Sequence, residues 1–191
     1  MTQKTSAREG VLDAFERIVN DRGERAATLD AVAVEAGVSK GGLLYHFGSK
    51  KDLVDGVIDR ITAAGSDYVE LLRSSPEGVV GSFIRTSVTT GTPFDNSYIA
   101  LTRLAQSGIY PDARETLARI EAEWFALVEA EVGDAAVARV VLLVSDGLYY
   151  NSALFPSAAD AATGAALDDV VGAIGDLVRA RSGPGRSTPV D

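Results

Sequence analysis

Apolar residues recur every three or four positions through almost the whole chain, and no stretch alternates apolar and polar as a half-buried strand would. The pattern predicts an all-α protein. Val11, Leu12, Phe15, Ile18 and Val19 form one stripe of a helix over residues 6–22, which Gly23 stops. Leu29, Val32, Ala33 and Ala36 fall at i, i+3, i+4 and i+7 of a second, short helix. Thr28 stands in front of it as a cap, and Gly37 follows it, where a left-handed backbone costs little. Ser39 caps the next helix, over about residues 40–47, with Leu43 and Phe47 four apart on its buried side. Ser49 with Asp52 gives a capping-box pattern at the head of a long helix. Leu53, Val54, Val57, Ile58, Ile61, Tyr68, Leu71 and Leu72 keep its period to about residue 73, long enough to link two domains.

Beyond it, Ser75-Pro76-Glu77 predicts a helix start with Pro in the first position, followed by Val79, Val80, Phe83, Ile84 and Val88. Gly91-Thr92-Pro93 breaks the chain, and Asp95 or Asn96 is the expected cap of a short helix carrying Tyr98, Ile99, Leu101, Leu104 and Ala105. Gly108 ends it. Pro111 opens a helix to residue 132 with Leu117, Ile120, Trp124, Leu127 and Val128 inward. Gly133 and Asp134 separate this from a helix over 135–155, where Val137, Val140, Val141, Val144 and Leu148 are expected on one face. A last helix over 158–180 holds Gly164, Ala165, Gly172, Ala173 and Gly175, small residues that let another helix approach closely. Residues 183–191 lack periodicity and are expected to form a disordered tail.

A helix, a turn containing Gly, and a second helix make a helix-turn-helix over residues 28–47. In its DNA-binding form the second helix enters the major groove with its N-terminal residues leading. Here those are Ser39, Lys40, Gly41 and Gly42: a cation, and two positions without side chains where backbone can come close. Tyr45 and His46 follow one turn on. The same spacing also occurs in helix pairs that are purely structural, so an all-helical protein-interaction module stands as the alternative.

The run AVAVEAGVSKGGLLYHFGSKKDLV resembles the DNA-binding domain of the TetR family of bacterial transcriptional regulators. The likeness rests on the Ala33 to Gly37 spacing, Val38-Ser39-Lys40-Gly41, Leu43 with Phe47, and Ser49-Lys50-x-x-Leu53. It covers about residues 8–58; beyond them only the all-helical plan is shared. The resemblance implies a helix-turn-helix domain over 1–50 and a helical effector-binding and dimerisation domain over 51–182. It implies a homodimer, paired through its last two helices, that reads a near-palindromic double-stranded operator as a repressor. It also implies a small-molecule effector. The expected DNA-facing set is Thr28, Ser39, Lys40, Gly41, Gly42, Tyr45, His46 and Lys50. Lys50 is placed there as a phosphate clamp at a helix N-terminus, against the plainer alternative of a solvated basic turn. One departure is Leu44, where the family often has Tyr; Tyr45 is the substitute at hand.

Charge sharpens this picture. The chain carries a net −9, which argues against nucleic acid until its distribution is considered. All four lysines lie in the first 51 residues, where eight positive charges meet seven negative ones, leaving that part about +1 and the rest about −10. There is no Cys, and His46 is the only His, so the usual zinc sets, thiolate catalysis and disulfides are excluded. No cofactor, metal or catalytic set is expected, and no apolar run reaches the roughly 18 residues of a membrane span. A cytoplasmic location is expected. The helices over 76–155 are rich in aromatics, from which a mainly apolar effector cavity is expected. Its predicted borders are Phe83, Tyr98, Leu101, Trp124, Asp146 and Tyr150, with Asp146 pointing inward to meet a donor or a positive charge on a flat, mostly apolar ligand.

Overall fold

The structure, a computed structural model, describes residues 6–88, 91–154 and 163–182. Every regular element among them is helical: α1 (Ala7–Arg22), a single 3-10 turn (Glu24–Ala26), α2 (Leu29–Glu35), α3 (Lys40–His46), α4 (Lys50–Ser74), α5 (Gly78–Thr86), α6 (Pro93–Gln106), α7 (Pro111–Val132), α8 (Ala135–Leu154) and α9 (Gly164–Ser182). The all-α expectation holds for these residues. The chain divides into two compact units. One comprises residues up to Asp67 together with Gly91–Ile120; the other comprises Tyr68–Thr90 and the residues from Glu121 onward. This division differs from a boundary at residue 50, because α6 folds with the first helices.

The first unit is built on α1. Val11, Leu12, Phe15, Ile18 and Val19 are fully buried, with Val32 from α2, Leu43 from α3 and Leu53, Val57 and Ile61 from α4. The apolar stripes of α1 to α4 thus close on one another in a single core. Gly56 makes its closest packing possible: a Cβ there would lie 2.9 Å from Leu12 Cδ2 and 3.1 Å from Phe47 Cε1. The other side of α1 holds α6. Asn20 Nδ2 donates to Asn96 O at 2.9 Å, and Ser97 Oγ donates to Glu16 Oε1 at 2.7 Å. Glu16 is buried, and its second oxygen accepts from Arg60 Nη1 at 2.9 Å. Burial pushes its carboxyl up, against the opposing pull of Ser97 and Arg60. An ionised group left in such a place must keep its partners.

Two helix starts differ from expectation. Helix α5 begins at Gly78 (φ +78), after Pro76, and its N-cap residue Glu77 makes no side-chain cap bond. Its free N–H groups are met from the same unit instead: Val79 N and Val80 N donate to the Glu131 carboxylate of α7 at 2.6 and 3.1 Å. Helix α6 is capped by Thr92, three residues before the nearer of the expected caps, with Pro93 at N1 and Asp95 closing a capping box. Helix α9 begins at Gly164; the part expected over 158–162 lies outside the described residues, as do Phe155 and the tail 183–191. On α8 the buried line is Val137, Val141 and Ser145, while Val140 and Leu143 are exposed.

Candidate nucleic-acid interface

Helices α2 and α3 are seven residues each, too short to persist alone, and each is fixed at its start by a side chain. Thr28 Oγ1 accepts from Ala31 N at 3.2 Å and Ser39 Oγ accepts from Gly42 N at 3.0 Å. Between the helices Gly37 takes φ +66, and Val38 N donates back to Ala33 O at 3.0 Å. This closes the turn and fixes how α3 leaves it. Behind α3, Ser49 N donates to Asp52 Oδ2 at 3.0 Å and Asp52 N to Ser49 Oγ at 3.2 Å, the capping box expected from the sequence.

The turn aims α3 so that Leu43 is fully buried and Phe47 nearly so, while Lys40, Gly41, Leu44, Tyr45 and His46 are exposed. Tyr45 is 85% exposed and its ring meets that of His46 edge-on at 5.1 Å. The two glycines differ. A Cβ at Gly42 would lie 3.3 Å from Ser39 Oγ, so that glycine clears the cap. A Cβ at Gly41 would meet nothing within 4 Å, so no internal contact calls for its small size. Thr28 and Ser39 are exposed at the leading ends of α2 and α3.

Lys50 departs from the clamp expectation. Its ammonium lies 2.7 Å from Glu24 Oε1 and donates to Glu24 O at 2.6 Å, so it ties α4 to the 3-10 turn. That bond holds the Glu24 carboxyl below its ordinary value. Tyr110 Oη also donates to Glu24, at 3.0 Å, and burial together with that carboxylate pushes the phenol up to about 12. Other cations of this unit are paired as well: Arg17 and Arg22 with Glu35, Lys51 with Asp55 and Asp112, and Lys40 with Asp30 at 2.8 Å. Among the described residues up to Gly56, Arg25 is the one Lys or Arg with no carboxylate within 4 Å, and it is exposed. Sequence reasoning counted Arg25 as charge only; its place in the turn before Thr28 was the available signal.

The six residues expected around an effector do not lie in one unit. Tyr98 and Leu101 belong to the first, where Leu101 is fully buried and Tyr98 stacks on Phe94 at 6.1 Å. Phe83 and Trp124 belong to the second and meet edge-on at 5.6 Å. Tyr68, absent from the expected set, completes that cluster at 6.5 Å from Phe83 and 5.9 Å from Trp124, and shares a 2.6 Å hydrogen bond with Thr86 Oγ1. Asp146 was expected to point inward; it is exposed, one residue past the buried Ser145, because a single step along a helix rotates the side chain by about 100°. Protein atoms around it still push its carboxyl up; that of Glu121 is raised first by its own burial and then by the charge of Asp146. Tyr150 is 57% exposed. No helix of the described residues is long and apolar enough to cross a membrane.

Two successive stretches of the chain match the two domains of a known family, the second of them drawing on both compact units. Residues 11–57 match the profile of bacterial regulatory proteins of the tetR family, and residues 78–170 match the tetracyclin repressor-like C-terminal domain. The chain belongs to the TetR family. It is similar to the HTH-type transcriptional repressor BepR of Brucella suis biovar 1 (strain 1330), 34% identical over 58 residues. It is also similar to the HTH-type transcriptional repressor KstR2 of Mycobacterium tuberculosis (strain CDC 1551 / Oshkosh), 33% identical over 86 residues. The matches cover 30% and 43% of this chain and span only 28% of BepR and 43% of KstR2. In fold, the chain resembles the multidrug binding protein EbrR complexed with malachite green, with a TM-score of 0.61 and 21% identity over 89% of this chain and 98% of that one.

Proposed function

We propose that this chain is a ligand-responsive transcriptional repressor, located in the cytoplasm, that binds a near-palindromic operator duplex as a homodimer. The observation that carries the reading is α3, held on its inner side by Leu43 and Phe47 and leading outward with Lys40, Gly41, Tyr45 and His46. In the proposed complex α3 lies in the major groove. Lys40, Tyr45 and His46 face base edges and backbone, Gly41 and Gly42 let the groove wall come close, and Thr28 and Ser39 stand at the leading ends. Arg25 takes the phosphate role first expected of Lys50, which here braces the turn behind the helices. Similarity to two proteins named as repressors supports repression. The activity is binding without catalysis.

The effector belongs, in this reading, to the second unit, against Tyr68, Phe83 and Trp124, with Glu121, three residues before Trp124 on α7, and Asp146, whose charge reaches Glu121, as the acidic groups. Both carboxyls are raised, so a ligand that brings a donor or a positive charge to a mostly apolar body suits them. The fold-level likeness to EbrR, whose structure holds malachite green, supports a small organic effector. It acts only if it prefers one spacing of the two α3 helices over the other.

A gel shift against duplex DNA flanking the chain's own gene, at two salt concentrations, tests the reading. A discrete complex that weakens as salt rises is expected. Absence of any complex at low salt favours the protein-interaction module, whose helix pair is structural only.

A further inference from the structure

The face that carries Lys40 also carries a carboxylate. Asp30 lies in the first turn of α2, two residues after the Thr28 cap, and its Oδ1 is 2.8 Å from Lys40 Nζ. Both side chains are open to solvent, Asp30 at 72% and Lys40 at 58%. A carboxylate on a surface that meets DNA is repelled by every phosphate within a Debye length of about 8 Å. Fold stability does not explain its presence, because an exposed pair of this kind contributes little. The α2 dipole favours an acid in this turn, but that does not require one within reach of the first residue of α3. Other cations of the unit are paired too, yet Lys40 is the one that stands on α3 itself.

Two kinds of acceptor compete with Asp30 for this ammonium. A bare phosphate offers charge without sequence, and taking Lys40 to it leaves Asp30 uncompensated beside a polyanion. A guanine edge offers O6 and N7 together in fixed geometry, deeper in the groove. Against random DNA the exchange gains little; against the right base it gains a bidentate contact. We infer that Asp30 is a specificity-determining residue acting through Lys40: it keeps the ammonium from indiscriminate phosphate contact and yields it to a base edge of the right sequence. This rests on the DNA-binding reading above.

The test uses the full chain, a duplex that the wild-type protein selects from a random pool, and a random-sequence duplex, with binding followed by fluorescence anisotropy over a salt series. Asp30→Asn keeps the helix start and removes the charge, and a thermal melt confirms that it folds. It is expected to tighten random-duplex binding about fivefold at low salt, the worth of one close unit-charge interaction in water. Its log–log salt slope on random DNA becomes steeper by about 0.9, one further phosphate contact. The ratio of selected to random affinity falls. Made in the Lys40→Ala background, Asp30→Asn gives a clearly smaller random-DNA gain, because only the carboxylate's own repulsion by phosphate is then removed. An unchanged random-DNA affinity and slope in Asp30→Asn overturns the inference, and so does an equally large gain from Asp30→Asn in the Lys40→Ala background. If the wild-type chain selects no duplex, the DNA-binding reading itself fails; if it selects one and Asp30→Asn leaves the ratio intact, only the role of Asp30 fails.

Discussion

Lys40 and Leu43 stand three residues apart on α3 and have opposite fates, one exposed and one fully buried. The same contrast sets two substitutions apart. Phe47→Ala removes a nearly buried ring that also lies under the Arg8 guanidinium at 5.2 Å, and it should cost about 3–5 kcal/mol of folding stability in a denaturant titration. Lys40→Ala should leave that stability nearly unchanged and weaken operator binding. An unfolded Lys40→Ala, or one with intact operator affinity, would remove Lys40 from the interface. Leu43 and Phe47 were legible in the sequence because they are four apart in a helix with polar neighbours. Lys50 was not, since the group that holds it lies 26 residues earlier in a 3-10 turn with no apolar period. Asp146 was misplaced for a different reason: α8 is apolar on several sides, so its buried line cannot be picked out from hydrophobicity alone.

At the scale of elements, local signals located helix starts where the cap lies within the helix's own sequence, as at Thr28, Ser39, Ser49 and Asp134. The start of α5 escaped because its partner, Glu131, sits about fifty residues further on, where no local window reaches. The 3-10 turn belongs with these nonlocal cases. It is held to α4 by the Glu24 to Lys50 pair, which is partly buried and accepts a third bond from Tyr110. Because Lys50 lowers the Glu24 carboxyl below its ordinary 4.5, the unfolded chain takes up that proton more readily than the folded one. The stability Glu24 contributes is therefore present above 4.5 and is lost as pH falls through the lowered folded value. Glu24→Gln should be less stable than the wild type at about pH 7, where Lys50 loses its anion, and the two should converge in acid, where protonated Glu24 resembles Gln. Urea titrations across this range check it; a constant gap down to the acid limb would mean that Glu24 acts by packing alone.

The whole molecule sets its charge and its apolar surface in different places. The sequence put the lysines in the first 51 residues and the excess of acid beyond them, and the first unit then spends most of that positive charge on its own carboxylates. What remains unspent among its described residues up to Gly56 is local, at Arg25 and at the exchangeable Lys40. In the second unit the exposed apolar groups gather on α8, where Val140 is 39%, Leu143 65% and Tyr150 57% exposed. Helix α9, packed against α8, buries Leu167 and Ile174 and leaves Gly172 and Ala173 on its open side. A row of large apolar side chains beside small residues is a surface suited to a second copy of the same two helices, closing a four-helix contact about a two-fold axis. A repressor dimer needs such a contact, because two α3 helices must meet half-sites about one helical turn apart or a multiple of it. Ala173→Glu would place a carboxylate in the middle of that contact, while in the single chain position 173 is exposed and tolerates it. The variant should therefore fold with near wild-type stability and sediment as a monomer where the wild type is a dimer. Its operator complex should weaken steeply, since two linked half-site contacts become two separate ones. A wild-type chain that sediments as a monomer at micromolar concentration, with and without operator, would leave α8 and α9 without this role.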